Sequence, residues 1–410
     1  MSDAPAIERT NLLGLERSGM ESFVRELGSQ PFRARQLWSW IYKRAERNFD
    51  AMTDLAKAFR AQLGERAEIR VPEVLTCKVS ADGTRKWLLR ADAKQAFEMV
   101  FIPEQDRGTL CISSQVGCAM DCSFCSTAQQ GFNRNLSTAE IVGQVWLANR
   151  ELGTTGQPDD RAVTNVVLMG MGEPLANFRN VVPALRIFTD DLGFDLSRRR
   201  VTISTSGLVP QMYKLAEEVN VALAVSLHAP DDELRNELVP INRVHPIAEL
   251  LEACWHYIDE QNGRSVTFEY VMLDGVNDSI AQARQLVKLL KGHPAKLNLI
   301  PFNPFPGTQY RRSSAEAIQR FRDELIGRGV LATVRRTRGD DIDAACGQLA
   351  GRVNDRTKVR LGDKLIPVGK LAATARRAGS CAKPEAARAP LLAAGPEADV
   401  RKSADGDLFR

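Results

Sequence analysis

From Thr109 onward the chain repeats one pattern six times: a short, largely apolar run, then a stretch whose apolar residues recur at helical spacing. The runs are Thr109 to Gln115, Val163 to Met169, Arg200 to Ser206, Val221 to Leu227, Val266 to Leu273 and Lys296 to Pro301. Helical spacing is found near 137–152, 177–192, 208–218, 246–260, 279–292 and 314–328. Apolar strands joined by helix-length crossovers predict a parallel sheet covered by helices, with right-handed connections. Six units of this kind predict an α/β core in the form of an open, partial (β/α)6 barrel. Its reactive residues should gather at the carboxyl ends of the strands.

The pattern upstream is different. Leu37, Trp38, Ile41 and Tyr42 lie at helical spacing, and Met52, Leu55, Phe59 and Leu63 predict a second amphipathic helix. Arg33, Arg35, Lys43, Arg44 and Arg47 fall on the outer face of this small helical unit, where they could touch phosphates. A solvated helix face accounts for the same charges. Two extended runs follow, Arg85 to Arg90 and Phe97 to Ile102, bounded by Asp-Gly and Pro. Glu98 alternates away from Phe97 and Met99, which puts it on the opposite face, ordinarily the solvent side of an edge strand. Beyond about residue 370, Ala, Pro and Arg dominate without periodicity and predict disorder. The expected organisation is a helical accessory domain over 1–75, the α/β core over 76–358 and a C-terminal extension over 359–410.

Composition adds little to this picture. A chain of 410 residues with 44% hydrophobic content can bury a large core beside a smaller one. The net charge of +4 is compatible with a polyanionic partner but does not require one. Eight cysteines, with neither a signal peptide nor a membrane-length apolar run, predict a reducing, cytoplasmic location and no membrane association.

The cysteines carry the chemistry. Cys118, Cys122 and Cys125 are spaced C-x3-C-x2-C, enough to wrap three thiolates around one centre without a fourth ligand nearby. A closed structural zinc site wants four ligands, whereas a [4Fe-4S] cubane on three thiolates keeps one iron open. Incidental core cysteines, or zinc with a remote fourth ligand, are the competing readings. The strand ends hold further unusual residues. Gly170-Met-Gly172-Glu173-Pro lets a ligand approach the backbone beside a carboxylate, and Ser204, Ser226-Leu227-His228 and Asn303 close three later strands. Each alone is compatible with a cap or a turn; their placement at successive strand ends favours a site. Cys346 follows Asp340, Asp341 and Asp343, acids that would raise its thiol pKa. Cys111 shares a strand face with Thr109 and Ser113. Cys77 and Cys254 are expected in the core, and Cys381, in the tail, has no assigned role.

The C-x3-C-x-Phe-C form, with Phe124 before Cys125, resembles the radical S-adenosylmethionine superfamily. The flanking Ser113-Ser-Gln-Val-Gly-Cys118 and Cys125-Ser-Thr-Ala-Gln-Gln-Gly-Phe-Asn-Arg-Asn-Leu136 resemble its RlmN branch, bacterial methyltransferases acting on adenine C2 in 23S rRNA and tRNA. The resemblance runs from about Pro31 to about Lys358 and implies a radical-SAM barrel with a helical domain that grips RNA. It implies a cluster on Cys118, Cys122 and Cys125, two S-adenosylmethionines per turnover, an electron donor such as a flavodoxin system, and a monomer. Glu173, with Gly172, would clamp the methionyl amine, while Ser204, Ser226, Leu227, His228 and Asn303 would contact carboxylate, ribose or adenine. Cys346 would be methylated and then lose a hydrogen to a 5'-deoxyadenosyl radical. Its methylene radical would add to the adenine, Glu98 would remove the ring proton, and Cys111 would release the product through a transient disulfide. Methylation at C8, or a non-catalytic iron-sulfur RNA-binding protein, are the alternatives.

Overall fold

The computed structural model of the protein describes residues 9–155, 159–261 and 265–356, and the expected disorder of the tail and Cys381 lie outside these. The N-terminal unit is closed by a short parallel pair, β1 (Thr10–Asn11) with β2 (Ala67–Glu68), which returns the chain to its starting point. Between them lie α1 (Arg17–Glu26), α2 (Phe32–Trp38) running on into a π-helical turn over Ser39–Lys43, and α3 (Lys57–Arg66). The second amphipathic helix is shorter than its apolar spacing predicts, because Met52 and Leu55 are buried from the loop before Lys57. Their periodicity reports burial rather than helical backbone. Helix α1 was not legible, since its buried Met20, Phe23 and Val24 make a single apolar triplet among charges.

One ten-stranded sheet forms the rest of the framework. Strands β3 (Val74–Val79), β4 (Arg85–Arg90), β5 (Ala96–Glu104) and β6 (Arg107–Cys111) make an antiparallel meander. The chain then leaves the sheet for a separate antiparallel pair, β7 (Gln115–Gly117) and β8 (Phe132–Asn135), which brackets the cysteine loop and the short α4 (Ser126–Gln129). After α5 (Thr138–Glu151) it re-enters at β9 (Asn165–Leu168), followed by α6 (Phe178–Thr189), β10 (Val201–Thr205), α7 (Val209–Glu218) and β11 (Ala222–Ser226). Next come α8 (Asp232–Leu238), α9 (Ile247–Glu260), β12 (Val266–Met272), α10 (Ile280–Leu290), β13 (Ala295–Pro301), α11 (Ala315–Gly327) and β14 (Leu331–Val334).

Strands β6 and β9 to β14 are parallel, each beside its successor, which is the sequential winding of a barrel. The two ends of the sheet, β14 and β3, are not paired to each other, so the barrel is open. The predicted six-strand core gains a seventh parallel strand, β14, and three antiparallel strands on its other side. The first predicted strand ends at Cys111 instead of Gln115 because the Gln144 side chain from α5 takes the Ser113 N–H at 2.9 Å and returns a donor to the Ser113 carbonyl. A second correction concerns Glu98. Strand β5 lies between β4 and β6, so Glu98 is on an interior strand and buried, not on the solvent side of an edge.

Helix α5 shows why the accessory unit stays attached. A capping box of Ser137 and Glu140 starts it, and most of its surface is buried because it packs against the sheet on one side and the N-terminal unit on the other. The Trp146 indole donates to the Ile41 carbonyl at 2.8 Å, Arg150 donates to the Ala45 carbonyl at 3.0 Å, and Arg17 pairs with Asp190 and Asp191 beyond α6. Among the described residues no helix is long and apolar enough to cross a membrane. Trp146→Phe leaves the Ile41 carbonyl without this partner and should cost about 1–3 kcal/mol of stability. Urea denaturation of the two proteins measures it, and equal midpoints would contradict the assignment.

Candidate active site

The cysteine loop is shaped by close backbone contacts. Gly117 has φ +79°, and a Cβ there would lie 2.0 Å from the Gly131 carbonyl oxygen, so only glycine lets β7 and the end of α4 approach. Cys118 donates its N–H to that carbonyl at 2.8 Å. Asp121 turns the chain in left-handed conformation, and Cys125 stands at the start of α4. All three thiols are raised above the ordinary cysteine range by burial, and neighbouring thiols add to the shift at Cys118 and Cys122. Three buried thiols in one loop are a stable set when metal replaces their protons.

The kind of metal follows from the geometry. Among the described residues no three His, Cys, Asp or Glu side chains converge on the point a single ion would occupy. Three thiolates on a cubane each bind a different iron, so they must border a shared volume, not a shared point. Cys118, Cys122 and Cys125 do this, forming one wall of a cavity that reaches the strand ends. The donor set fits a three-thiolate [4Fe-4S] cluster.

The opposite wall is made at the carboxyl ends of β9, β10 and β11, where Gly172, Glu173, Ser204, Ser226 and His228 all line the cavity. Glu173 is buried and fixed: Oε1 accepts the Leu175 N–H at 3.0 Å, and Oε2 accepts the Ser206 N–H at 2.8 Å and its hydroxyl at 2.9 Å. Burial raises its pKa while these hydrogen bonds pull it down. Gly172, at φ +101°, has no room for a Cβ, which would meet Gln115 at 2.5 Å; the Gln115 side chain in turn accepts the Glu173 N–H at 2.8 Å. The His228 Nδ1 accepts the Val271 N–H at 3.0 Å, leaving Nε2 as the protonated nitrogen. Burial and Arg235 lower its pKa to about 3, so the imidazole is neutral.

Two predicted contacts lie elsewhere. Leu227 points into the main hydrophobic core and lines no part of the cavity. Asn303 belongs to an adjoining small cavity, where its amide donates to the Cys346 carbonyl at 3.2 Å. That second cavity answers the question of the two distant cysteines. Cys111, at the end of β6, and Cys346, in the loop after β14, both line it together with Arg335 and Met169. Burial raises both thiols, Cys111 to about 12, and Arg335 counters the rise at each. The acids expected to oppose Cys346 face away: Asp341 accepts from the Ser80 hydroxyl at 2.5 Å, and Asp340 and Asp343 are exposed. Cys254 is core, as expected, and Cys77 is buried on β3.

Glu98 does not line either cavity. Its carboxylate is engaged by the Cys346 loop, Oε2 accepting the Ala350 N–H at 2.9 Å, and by Lys86, whose ammonium is 3.3 Å from Oε1. Neither Lys86 nor Arg235 was legible in the sequence as a site residue. The Arg235 guanidinium, wholly buried, donates to the carbonyls of Ser206 (2.8 Å), Ser226 (2.9 Å) and Leu227 (3.1 Å), and to the Asn242 side chain at 2.7 Å. Its pattern on α8 reads as an ordinary solvent-facing arginine of a Asp-Asp-Glu-Leu-Arg run.

Residues 10–69 match the family described as ribosomal RNA large subunit methyltransferase N-terminal domain, and residues 112–287 match the radical SAM superfamily. A crystal structure of a radical SAM methyltransferase from Sphaerobacter thermophilus is 46% identical, with TM-score 0.77, over 83% of this chain and 99% of that one. More distant are a domain of a pyruvate-formate lyase-activating enzyme from Bacteroides vulgatus ATCC 8482, 18% identical at TM-score 0.34 over 42% of this chain and 99% of that one, and Streptococcus suis SuiB bound to S-adenosylmethionine, 14% identical at TM-score 0.39 over 57% and 48%. The fold and site define a radical SAM methyltransferase, with a [4Fe-4S] cluster and S-adenosylmethionine as its cofactors, and the chain belongs to the RlmN family. Arg235→Lys, which offers one donor centre to four acceptors, should weaken S-adenosylmethionine binding about tenfold. Equilibrium dialysis of the reconstituted protein tests this, and unchanged affinity would remove Arg235 from the site's framework.

Proposed function

We propose that this methyltransferase modifies C2 of adenine in 23S rRNA and in tRNA next to the anticodon, using Cys346 as the methyl carrier. The observation that carries the reading is the meeting of Cys111 and Cys346 in one cavity beside the one bordered by Cys118, Cys122 and Cys125. A binding protein would not need that meeting. The choice of C2 over C8 is supported by the N-terminal domain match and by the Gln129-Gln-Gly-Phe-Asn-Arg-Asn135 context. Basic residues of the accessory unit would hold the RNA, and the target adenine would leave its stack to reach the barrel.

When bound, the cluster and S-adenosylmethionine supply a hydrogen-abstracting radical, which an electron-poor aromatic carbon requires. Glu173 would orient the methionyl amine, and Ser204, Ser226 and His228 would position the remainder of that molecule. Cys346 accepts the methyl group at Sγ, with Arg335 favouring the thiolate. Once the carbon is joined to adenine, the adduct must give up one electron, for which the bound cluster would be the acceptor, and its ring proton, which would pass to Glu98 behind the Cys346 loop. The Cys111 thiolate then attacks the Cys346 sulfur, the sulfur–carbon bond breaks with its electron pair on carbon, that carbon takes a proton to become the methyl group, and an external dithiol reduces the disulfide left behind.

Anaerobic reconstitution with iron and sulfide, turnover with S-adenosylmethionine, a reductant and a protein-free 23S rRNA fragment, then nucleoside mass spectrometry, tests the reading. 2-Methyladenosine is the expected product; 8-methyladenosine, or bound RNA with no product, would overturn it. Cys346→Ala should lower turnover by more than about a thousandfold while iron content and RNA affinity stay unchanged.

A further inference from the structure

The loop that carries Cys346 is held on both of its flanks by one buried ion pair. On one side the Lys86 ammonium, from β4, donates to the Asp343 carbonyl at 2.8 Å; on the other, Glu98, from β5, accepts the Ala350 N–H at 2.9 Å. The two side chains are paired with each other at 3.3 Å and are only 8% and 9% exposed. A buried ammonium and a buried carboxylate persist only as a pair, so whatever discharges one of them loosens the other's hold.

Resting on the function proposed above, we propose that Lys86 is a positioning residue of the reaction, forming with Glu98 a clasp across the flanks of Cys346 that opens when Glu98 takes up the proton of the adenine ring. In that step the ring C–H bond breaks, its electron pair stays with the ring, and the proton ends on the Glu98 carboxyl. The Ala350 hydrogen bond then falls from charge-assisted to neutral, and Lys86 loses its counter-ion. The Ala350 flank of the loop is loosened at the stage when Cys111 must reach the Cys346 sulfur, while the contacts of Ser126, Thr127 and Asn303 with the loop persist. Before that stage Lys86 has a second effect. Burial raises the Glu98 pKa, while Lys86, the Ala350 N–H and Lys78 from β3 lower it, so Lys86 helps to keep the carboxylate able to accept a proton.

Two measurements on the reconstituted full chain test the proposal. Glu98→Gln imitates the protonated carboxyl, and amide exchange in residues 344–351 should quicken about tenfold without RNA present, while peptides of α9 in the same digest stay protected. Unchanged protection of that loop would overturn the clasp. In Lys86→Met the Glu98 pKa rises, and because the base acts above its pKa, the acid limb of the turnover profile should move to higher pH by about one unit, with Lys86→Arg restoring it. A loss of rate equal at every pH, or no rescue by arginine, would overturn the positioning role. Failure of the C2 assignment is distinguishable: it appears in the identity of the methylated nucleoside, whereas loop exchange is read in the absence of RNA.

Discussion

The mouth of the barrel depends on one buried charge. Arg235 takes three backbone carbonyls at the ends of β10 and β11, groups that end a strand with no ladder partner and that would otherwise need water. Burying a guanidinium is costly unless nearly every donor is used, and here carbonyl dipoles and Asn242 stand in for a carboxylate. The cost shows in its pKa, lowered to about 10 by burial. In return, Ser206, Ser226 and Leu227 are fixed relative to one another. Ser206 then fixes Glu173, and through Gln115 the same chain of contacts reaches the cluster loop. The two walls of the cofactor cavity are therefore one hydrogen-bonded assembly.

Much of this was legible in the sequence, for definable reasons. Short apolar runs and helical spacings located the parallel core because its strands are buried on both faces and its helices on one. The C-x3-C-x2-C spacing located the cluster loop because the three ligands are local. What could not be read is what depends on contacts distant in sequence. Glu98 reads as a surface residue until β4 and β6 flank it, and Arg235 reads as a solvated helix residue until four acceptors are seen around it. The Cys346 thiol is raised, as expected, but by burial and Glu269 and not by Asp340, Asp341 and Asp343, since proximity along the chain does not fix which way a carboxylate points. Strand β14 lies in a largely apolar run, Val330 to Val334, but no stretch of helical spacing follows it, so the strand–helix repeat did not reach it.

Two kinds of group meet near Cys346. The cluster loop and the loop of Cys346 both rest on backbone fits, at Gly117 and at Gly351, where an added Cβ would lie 2.2 Å from the Ala96 carbonyl oxygen; the loop of Cys346 has in addition one ion pair that can change charge. Steric limits keep both segments in place, and a hydrogen bond that a proton can weaken adds one adjustable point to the segment that delivers a sulfur.

Helix α5 has a consequence for synthesis. The N-terminal unit closes on itself at Glu68, yet the face that receives Trp146 and Arg150 is covered only after α5, whose first residue lies about 70 positions later (138 − 68). At a translation rate of roughly 5–20 residues per second, that face waits some seconds for its cover on every chain made. The accessory unit must therefore hold together, and stay soluble, before the enzyme exists.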